Sequence, residues 1–137
     1  LRSLVGSEMC IRDRDDAGLQ PSDIGYINAH GTGTAQGDIA ESQATMQVFG
    51  KHTPISSLKS YMGHTLGACG ALEAWISIEM MREGWFAPTI NLEQVDPQCA
   101  ELDYILREGR NIACDYVMSN NFAFGGINTS LIFKKYQ

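Results

Sequence analysis

The sequence predicts an α/β domain, and three observations lead to that prediction. Short runs with strand character alternate along the chain with longer runs of helical period. Several of these runs are joined by short glycine-rich loops rather than by long linkers. The chain has 137 residues, of which 44% are hydrophobic and 19% charged, as is typical of one globular domain. Strands interleaved with helices indicate a sheet that is covered by helices.

The predicted elements follow one another in order. A first strand is expected at 24–29, after a turn signal, and a second at 54–58. Between them, alanine and valine recur every four residues, which predicts a helix over 38–49. Near the C-terminus, two further strands are expected at 116–120 and 128–134, joined by a loop that contains glycine and phenylalanine.

The clearest helical pattern covers residues 65–83. Its apolar residues occupy most of the helix circumference, and a helix that is apolar on most sides is normally buried. Gly67 and Gly70 would allow a neighbouring element to approach this helix closely, and Gly84 is expected to end it. We therefore predict a helix buried between layers.

The first fourteen residues differ from the rest of the chain. They have no clear helical or strand period and lack the features of a secretory signal. They resemble the translation of sequencing-adapter DNA joined in frame to a gene. We therefore expect residues 1–14 to be a non-native leader and residues 15–137 to form the domain. Cys10 lies in this leader and is expected to have no functional role.

Charge and cysteine content argue against several classes of function. Lysine and arginine number 10 against 16 acidic residues, and no stretch is basic enough to follow a phosphate backbone. Nucleic acid is therefore not an expected partner. No apolar run has membrane-spanning length, so a membrane is not expected either. The four cysteines lack the spacing of a zinc site, and we expect free thiols in a reducing cytoplasm.

Two histidines indicate a functional site. His30 and His64 each follow a strand-like run and lie among glycines, and Lys59 precedes the second histidine by five residues. Polar groups on glycine-rich loops at strand ends are common in active sites. Either histidine alone would more often be structural than catalytic, so the prediction depends on their matched contexts.

Three segments extend this pattern, and their sequences are INAHGTGTAQGDIAES, SSLKSYMGHTLGACGALEA and VMSNNFAFGGIN. In content, order and spacing they closely resemble three signatures of the β-ketoacyl-acyl carrier protein synthases, the elongation-type condensing enzymes. The resemblance covers residues 15–135. It implies a thiolase-like layered α/β fold, of which this chain would be the C-terminal half, and a homodimer for the full-length protein. The implied reaction is a decarboxylative Claisen condensation of an acyl thioester with malonyl-acyl carrier protein. Its product would be a β-ketoacyl-acyl carrier protein in fatty-acid-type biosynthesis.

The resemblance also implies the residues of the site. His30 and His64 would hold the malonyl thioester carbonyl while carbon dioxide leaves, and Lys59 would be the active-site lysine. Phe124 would be a gating residue whose backbone N–H also contributes to the oxyanion hole. The remaining implied positions are Glu73, Asp38 and Glu41 for a supporting network, Thr32 and Thr34 for the phosphopantetheine arm, and Asn28, Glu73, Ser119 and Asn120 for a possible monovalent cation. The resemblance implies no other metal site.

The same resemblance implies the partners of the protein. Phosphopantetheine would arrive on the acyl carrier protein, so the chain is expected to hold no cofactor of its own. The expected partners are the acyl carrier protein, its acyl and malonyl thioesters, and a second subunit. The nucleophilic cysteine of the family belongs to the first half of the enzyme, and Cys69, Cys99 and Cys114 lack its sequence context. We therefore expect the isolated chain to be inactive.

Two positions depart from the family pattern. Ala123 occupies the position of the usual glycine, and Asn121 that of the commoner serine. Any effect of these two changes is expected on gate motion or acyl selectivity, and not on the reaction class. Two alternatives stay open at this stage. One is a non-catalytic chain-length factor, against which both histidines, Lys59 and Phe124 argue. The other is an initiating synthase that uses coenzyme A thioesters, or a thiolase of related fold.

Overall fold

The structure is a computed structural model that describes residues 2–123 and 126–136, with side chains from residue 7 onward. Its α-helices are α1 (Arg2–Asp16), α2 (Ala35–Phe49), α3 (Lys59–Met62) and α4 (Cys69–Glu83). Its strands are β1 (Ile24–Asn28), β2 (Pro54–Ser56), β3 (Trp85–Phe86), β4 (Asp103–Tyr104), β5 (Arg110–Asn111), β6 (Tyr116–Phe122) and β7 (Asn128–Lys134).

A mostly parallel sheet of five strands organises the chain. The strand order is β4-β2-β1-β6-β7, in which only β7 runs antiparallel to its neighbour. The strands β3 and β5 form a separate antiparallel pair. The α/β class predicted from the sequence is confirmed, and all four predicted strands are present. The strand β7 has the predicted bounds, whereas β6 continues two residues further than predicted and β2 ends two residues earlier.

The central strands are buried on both faces of the sheet. Side chains alternate between faces along a strand, so neighbours in β1 enter different cores. Ile27 packs with Met118 on one face, whereas Tyr26 packs with Val117 and Phe86 on the other. All five side chains are fully buried. The carboxyl ends of β1, β2 and β6 are therefore held on a rigid base.

Within this chain, helix α4 is buried on one side only, and burial of its other apolar faces stays a prediction for the full-length protein. Its buried stripe is formed by Cys69, Glu73, Ser77, Met80 and Met81, and the first three of these are small or polar. Trp75, on the opposite side, is 61% exposed. Apolar composition indicated burial correctly for part of the helix, but it cannot tell which face meets the sheet. The element that does pack there is β6.

The first residues are helical, which the sequence pattern did not indicate. Met9 and Cys10 of α1 are buried in the same core as Ile27. Burial, followed by the charges of Glu41 and Asp13, raises the pKa of the Cys10 thiol to about 12. The thiol therefore stays protonated at neutral pH. The non-native origin of residues 1–14 stays a prediction. Within the described ranges, no helix combines the length and apolar character needed to cross a bilayer.

Candidate active site

The candidate site forms where three parallel strands end. Asn28, the last residue of β1, lies in register with Ser56 of β2 and with Ser119 of β6. Carboxyl ends of parallel strands meet at one edge of a sheet, which is where α/β proteins commonly build their sites. The loops that leave this edge bring His30 and Lys59 to the same place.

The two predicted histidines face each other. The ring centroids of His30 and His64 are 5.5 Å apart, with an angle of 89° between the ring planes. The ring of Phe122 lies 5.6 Å from that of His30, on edge. Burial is the main cause that lowers the pKa of His30 to about 4, and the nearby Lys59 lowers it further. A side-chain hydrogen bond with Asn121 opposes this effect. His30 is therefore a neutral imidazole at pH 7 and carries a single N–H.

The backbone fixes the tautomer of His64. The N–H of Leu66 donates to Nδ1 of His64 over 3.1 Å, so Nδ1 is an acceptor and the proton of a neutral ring lies on Nε2. Leu66 has a φ of 52°, a left-handed conformation that costs a leucine about 1–3 kcal/mol. Strain of this kind is common at functional sites.

The side chain of Cys69 contacts the ring of His64, which the sequence did not predict. The Sγ atom of Cys69 is 3.2 Å from Nδ1 of His64, and the hydroxyl of Thr65 donates to the same sulfur over 3.4 Å. Cys69 is buried. Its position five residues after His64 was the available signal, but the distance from sulfur to ring depends on the tight 3₁₀ turn between them.

A buried ion pair lies beneath the histidines. The Nζ atom of Lys59 is 2.5 Å from Oε1 of Glu73, and the two residues are 6% and 0% exposed. The other carboxylate oxygen, Oε2, accepts from Nδ2 of Asn121 over 2.9 Å and from Nδ2 of Asn28 over 3.3 Å. Each oxygen of the carboxylate thus receives a donor, which is the condition for keeping a buried charge.

The four residues considered for a monovalent cation all take part in hydrogen bonds in this geometry. The oxygens of Glu73 are occupied by the donors described above, and Oδ1 of Asn28 accepts from the backbone N–H of Leu58. Ser119 accepts from Asn28, and Oδ1 of Asn120 accepts from a serine hydroxyl of β7. Among the described residues, no three His, Cys, Asp or Glu side chains cluster as metal ligands.

Glu41 anchors the loop that carries His30. Its carboxylate oxygens accept the backbone N–H groups of His30, over 2.8 Å, and of Gly31, over 2.9 Å. Burial raises the pKa of Glu41 to about 7 in spite of these two hydrogen bonds. Burial likewise raises the pKa of Asp38, against hydrogen bonds from the backbone of residues 32–34. Glu41 therefore holds the backbone of the loop that carries His30.

Replacing Glu41 with glutamine should remove a pH dependence of stability. The folded state holds the Glu41 proton up to about pH 7, against an ordinary pKa of 4.5. Between these values the folded state binds more protons than the unfolded state, so the stabilisation present below pH 4.5 is lost as the pH rises through 7. The expected loss is about 3 kcal/mol. Urea melts at several pH values would measure it, and parallel curves for wild type and Glu41→Gln would contradict this assignment.

An open cavity of about 600 Å³ adjoins the site. Among its lining residues are Lys59, His64, Asp38 and Thr32. The hydroxyl of Thr32, which lines the cavity, is 3.0 Å from that of Thr34, which is exposed. The cavity is large enough for an extended thioester arm. Phe124, the predicted gating residue, lies outside the described residues.

Comparison with known proteins identifies the family. The family model described as "Beta-ketoacyl synthase, C-terminal domain" matches residues 5–93. The chain belongs to the β-ketoacyl synthases. A curated relative from Synechocystis, named 3-oxoacyl-[acyl-carrier-protein] synthase 2, is 46% identical over 125 residues, or 89% of this chain and 30% of the relative.

Solved structures of β-ketoacyl synthases agree with the fold. A β-ketoacyl synthase from Burkholderia phymatum superposes with a TM-score of 0.95 at 61% identity, over the whole of this chain and 33% of that one. A type II polyketide ketosynthase, solved in complex with its acyl-carrier protein, gives 0.90 at 34% identity, over 96% of this chain and 33% of that one. The thiolase-like fold is confirmed. The chain spans about a third of the length of the curated relatives it matches, rather than the half implied by the resemblance.

Proposed function

We propose that the protein to which this chain belongs condenses an acyl thioester with malonyl-acyl carrier protein, with loss of carbon dioxide. The observation that carries this proposal is the pair of imidazoles whose ring centroids are 5.5 Å apart, one of which, His64, lines the cavity. A neutral His30 and an Nε2-protonated His64 are both hydrogen-bond donors, so they match an oxygen on which negative charge develops.

The proposed step follows from these donors. When the bond between the malonyl methylene and its carboxylate breaks, carbon dioxide leaves and the electron pair moves toward the thioester oxygen. The N–H groups of His30 and His64 would stabilise this enolate, and a single preplaced donor of this kind is worth about 3–4 kcal/mol. The enolate carbon then attacks the acyl thioester, whose sulfur leaves as a thiolate. In the family that sulfur belongs to a cysteine of the first half.

The ion pair has an electrostatic role in this proposal. Lys59 and Glu73 hold each other 2.5 Å apart below the histidines, and neither is exposed enough to exchange protons readily with water. In this proposal, the charges of Lys59 and Glu73 set the electrostatic field at the enolate, and their contact keeps the geometry of the site fixed. Glu41 and Asp38 would hold the His30 loop, Thr32 and Thr34 the phosphopantetheine arm, and Phe124 the acyl gate.

The acyl carrier protein is the proposed partner. The ketosynthase that was solved with its acyl-carrier protein shares this fold over 96% of the chain. No cofactor is proposed for the chain itself, because phosphopantetheine would come with that partner. The second subunit of a homodimer is part of the same proposal.

The isolated chain should show no condensing activity, because the family's acyl-accepting cysteine lies outside it. Purified chain would be incubated with acyl- and malonyl-carrier thioesters, and β-ketoacyl product followed by mass spectrometry. The full-length parent is the matched control and should form product. Turnover by the chain alone would contradict the proposal that the nucleophilic cysteine lies outside it.

The full-length parent also distinguishes the alternative functions. A parent that releases carbon dioxide without being acylated would instead be a chain-length factor, and a preference for acyl-coenzyme A primers would identify an initiating synthase.

A further inference from the structure

His64 is the more exposed of the two histidines of the site, so its ring depends on hydrogen bonds for its position. His30 is partly buried, whereas His64 is exposed where it lines the cavity. Burial therefore does little to hold the His64 ring. Two groups lie against its Nδ1 atom, the N–H of Leu66 at 3.1 Å and the Sγ atom of Cys69 at 3.2 Å. The sulfur is therefore part of what fixes the orientation of this ring.

The contacts of Nδ1 decide the direction of the hydrogen bond with Cys69. Because the N–H of Leu66 donates to Nδ1, this nitrogen carries a lone pair and no proton. Two lone pairs would repel each other at 3.2 Å, so the thiol proton of Cys69 must point at Nδ1. A thiolate–imidazolium pair would place a proton on Nδ1, facing the Leu66 N–H, and is therefore excluded. The hydroxyl of Thr65 donates to the same sulfur over 3.4 Å. The hydrogen bonds thus run in one direction, from hydroxyl to thiol to imidazole.

Helix α4 supplies a fixed frame for this contact. Cys69 is the first residue of the helix and is 3% exposed. Glu73 follows four residues later, on the same buried stripe. One face of α4 thus presents the thiol to His64 and the carboxylate to Lys59. Both partners are therefore placed relative to a single rigid element.

We propose that Cys69 is a positioning residue for His64, which holds the Nδ1 side of the ring and, together with the Thr65 hydroxyl, polarises the N–H on its other side. Hydrogen bonds in a chain strengthen one another, because each donor draws electron density from the group that accepts it. A ring that accepts at Nδ1 is therefore a stronger donor at Nε2. The proposal rests on the function proposed above for the use of this donor, whereas the contacts themselves do not depend on it.

Nitrogen-15 NMR of histidine-labelled chain tests the hydrogen bond from the thiol. The chain has three histidines, so the His64 signals can be assigned from a His64→Gln variant. In Cys69→Ala, the Nδ1 resonance of the neutral ring should move toward that of a free, unprotonated nitrogen, because one of its two donors is gone. Cys69→Ser keeps a donor proton and should stay closer to the wild type. Thr65→Val, which removes only the hydroxyl, should move the resonance in the same direction as Cys69→Ala, but by less.

Cys114→Ala is the matched control. Cys114 is partly buried against Gly25, at the start of β1, and its sulfur should be removable without any change at His64. A His64 Nδ1 resonance that is the same in Cys69→Ala as in the wild type would overturn the proposal. Equal shifts in Cys69→Ala and Cys69→Ser would overturn it too, because the sulfur would then act by its size and not by its proton. Circular dichroism checks the fold, and if Cys69→Ala does not fold, an unchanged resonance in Thr65→Val overturns the proposal.

Decarboxylation by the full-length parent separates this inference from the proposed function. Cys69→Ala should lower kcat for release of carbon dioxide from the malonyl thioester about two- to tenfold, which is the contribution of one hydrogen bond. KM should stay the same, because the thiol acts on charge that develops only in the transition state. Cys69→Ser should recover most of the rate. A shifted resonance with an unchanged kcat would overturn the contribution of Cys69 to catalysis. A wild-type parent that releases no carbon dioxide would contradict the proposed function instead, and the resonance would still decide whether the thiol holds the ring.

Discussion

Replacing Glu73 with alanine should lower the free energy of unfolding by about 3–5 kcal/mol. The substitution leaves the Lys59 ammonium, which is 6% exposed, without a counter-charge. It also removes the acceptor of the Asn28 and Asn121 amides. A buried charge with no partner and two unpaired donors are among the most destabilising changes known for a single site. Urea unfolding of the chain, followed by circular dichroism, would measure the loss.

Glu79→Ala is the matched control on the same helix. Glu79 pairs with Arg82 at the surface, and exposed pairs of this kind contribute less than about 1 kcal/mol. The double variant Lys59→Met/Glu73→Leu sharpens the test, because replacing both partners of a buried pair with apolar residues is often neutral. It should recover most of the lost stability while lacking the proposed activity. A loss no larger for Glu73→Ala than for Glu79→Ala would show that the pair does not stabilise the fold.

Replacing His64 with alanine in the full-length parent should reduce malonyl decarboxylation by about 10²–10³-fold or more, the usual effect of removing one preplaced donor. Acyl transfer to the nucleophile should persist, because it depends on the cysteine and the oxyanion hole rather than on the donor at the malonyl carbonyl. Release of carbon dioxide and formation of labelled acyl-enzyme would be measured side by side.

His52→Ala is the control for this experiment. His52 is exposed and follows α2, away from the site, so its removal should affect neither step. Equal loss of both steps in His64→Ala would contradict the separate roles assigned to the two parts of the enzyme. A similar loss in His52→Ala would point to a general effect on folding.

Much of the site could be predicted from the sequence because its residues lie next to strand ends. The motifs around His30 and Lys59 each combine a short apolar run with a polar loop, and parallel strands bring such loops together. The Lys59–Glu73 pair followed from the family resemblance, and the structure places the two side chains in contact. These features depend on local pattern and topology, which a single sequence records well.

Other features depend on tertiary contacts that no local pattern contains. The exposure of Trp75 is decided by which side of α4 meets β6. The contact between Cys69 and His64 requires the left-handed backbone of Leu66, which is unusual for a leucine and has no signal in residue type. The helical state of α1 is likewise associated with packing against α2, and its own residues show little amphipathic period.

The long sequence separations within the site have a consequence for the order of folding. Asn28 is bonded to Glu73, 45 residues away, and to Ser119, 91 residues away. Contacts between residues so far apart in sequence form late in folding, because the loop between them must first lose its chain entropy. The hydrogen bonds of Asn28 with Glu73 and Ser119 therefore form late in folding, and the bond with Ser119 is lost when β6 separates from the sheet. During synthesis, the network around Asn28 can therefore form only after β6 has left the ribosome.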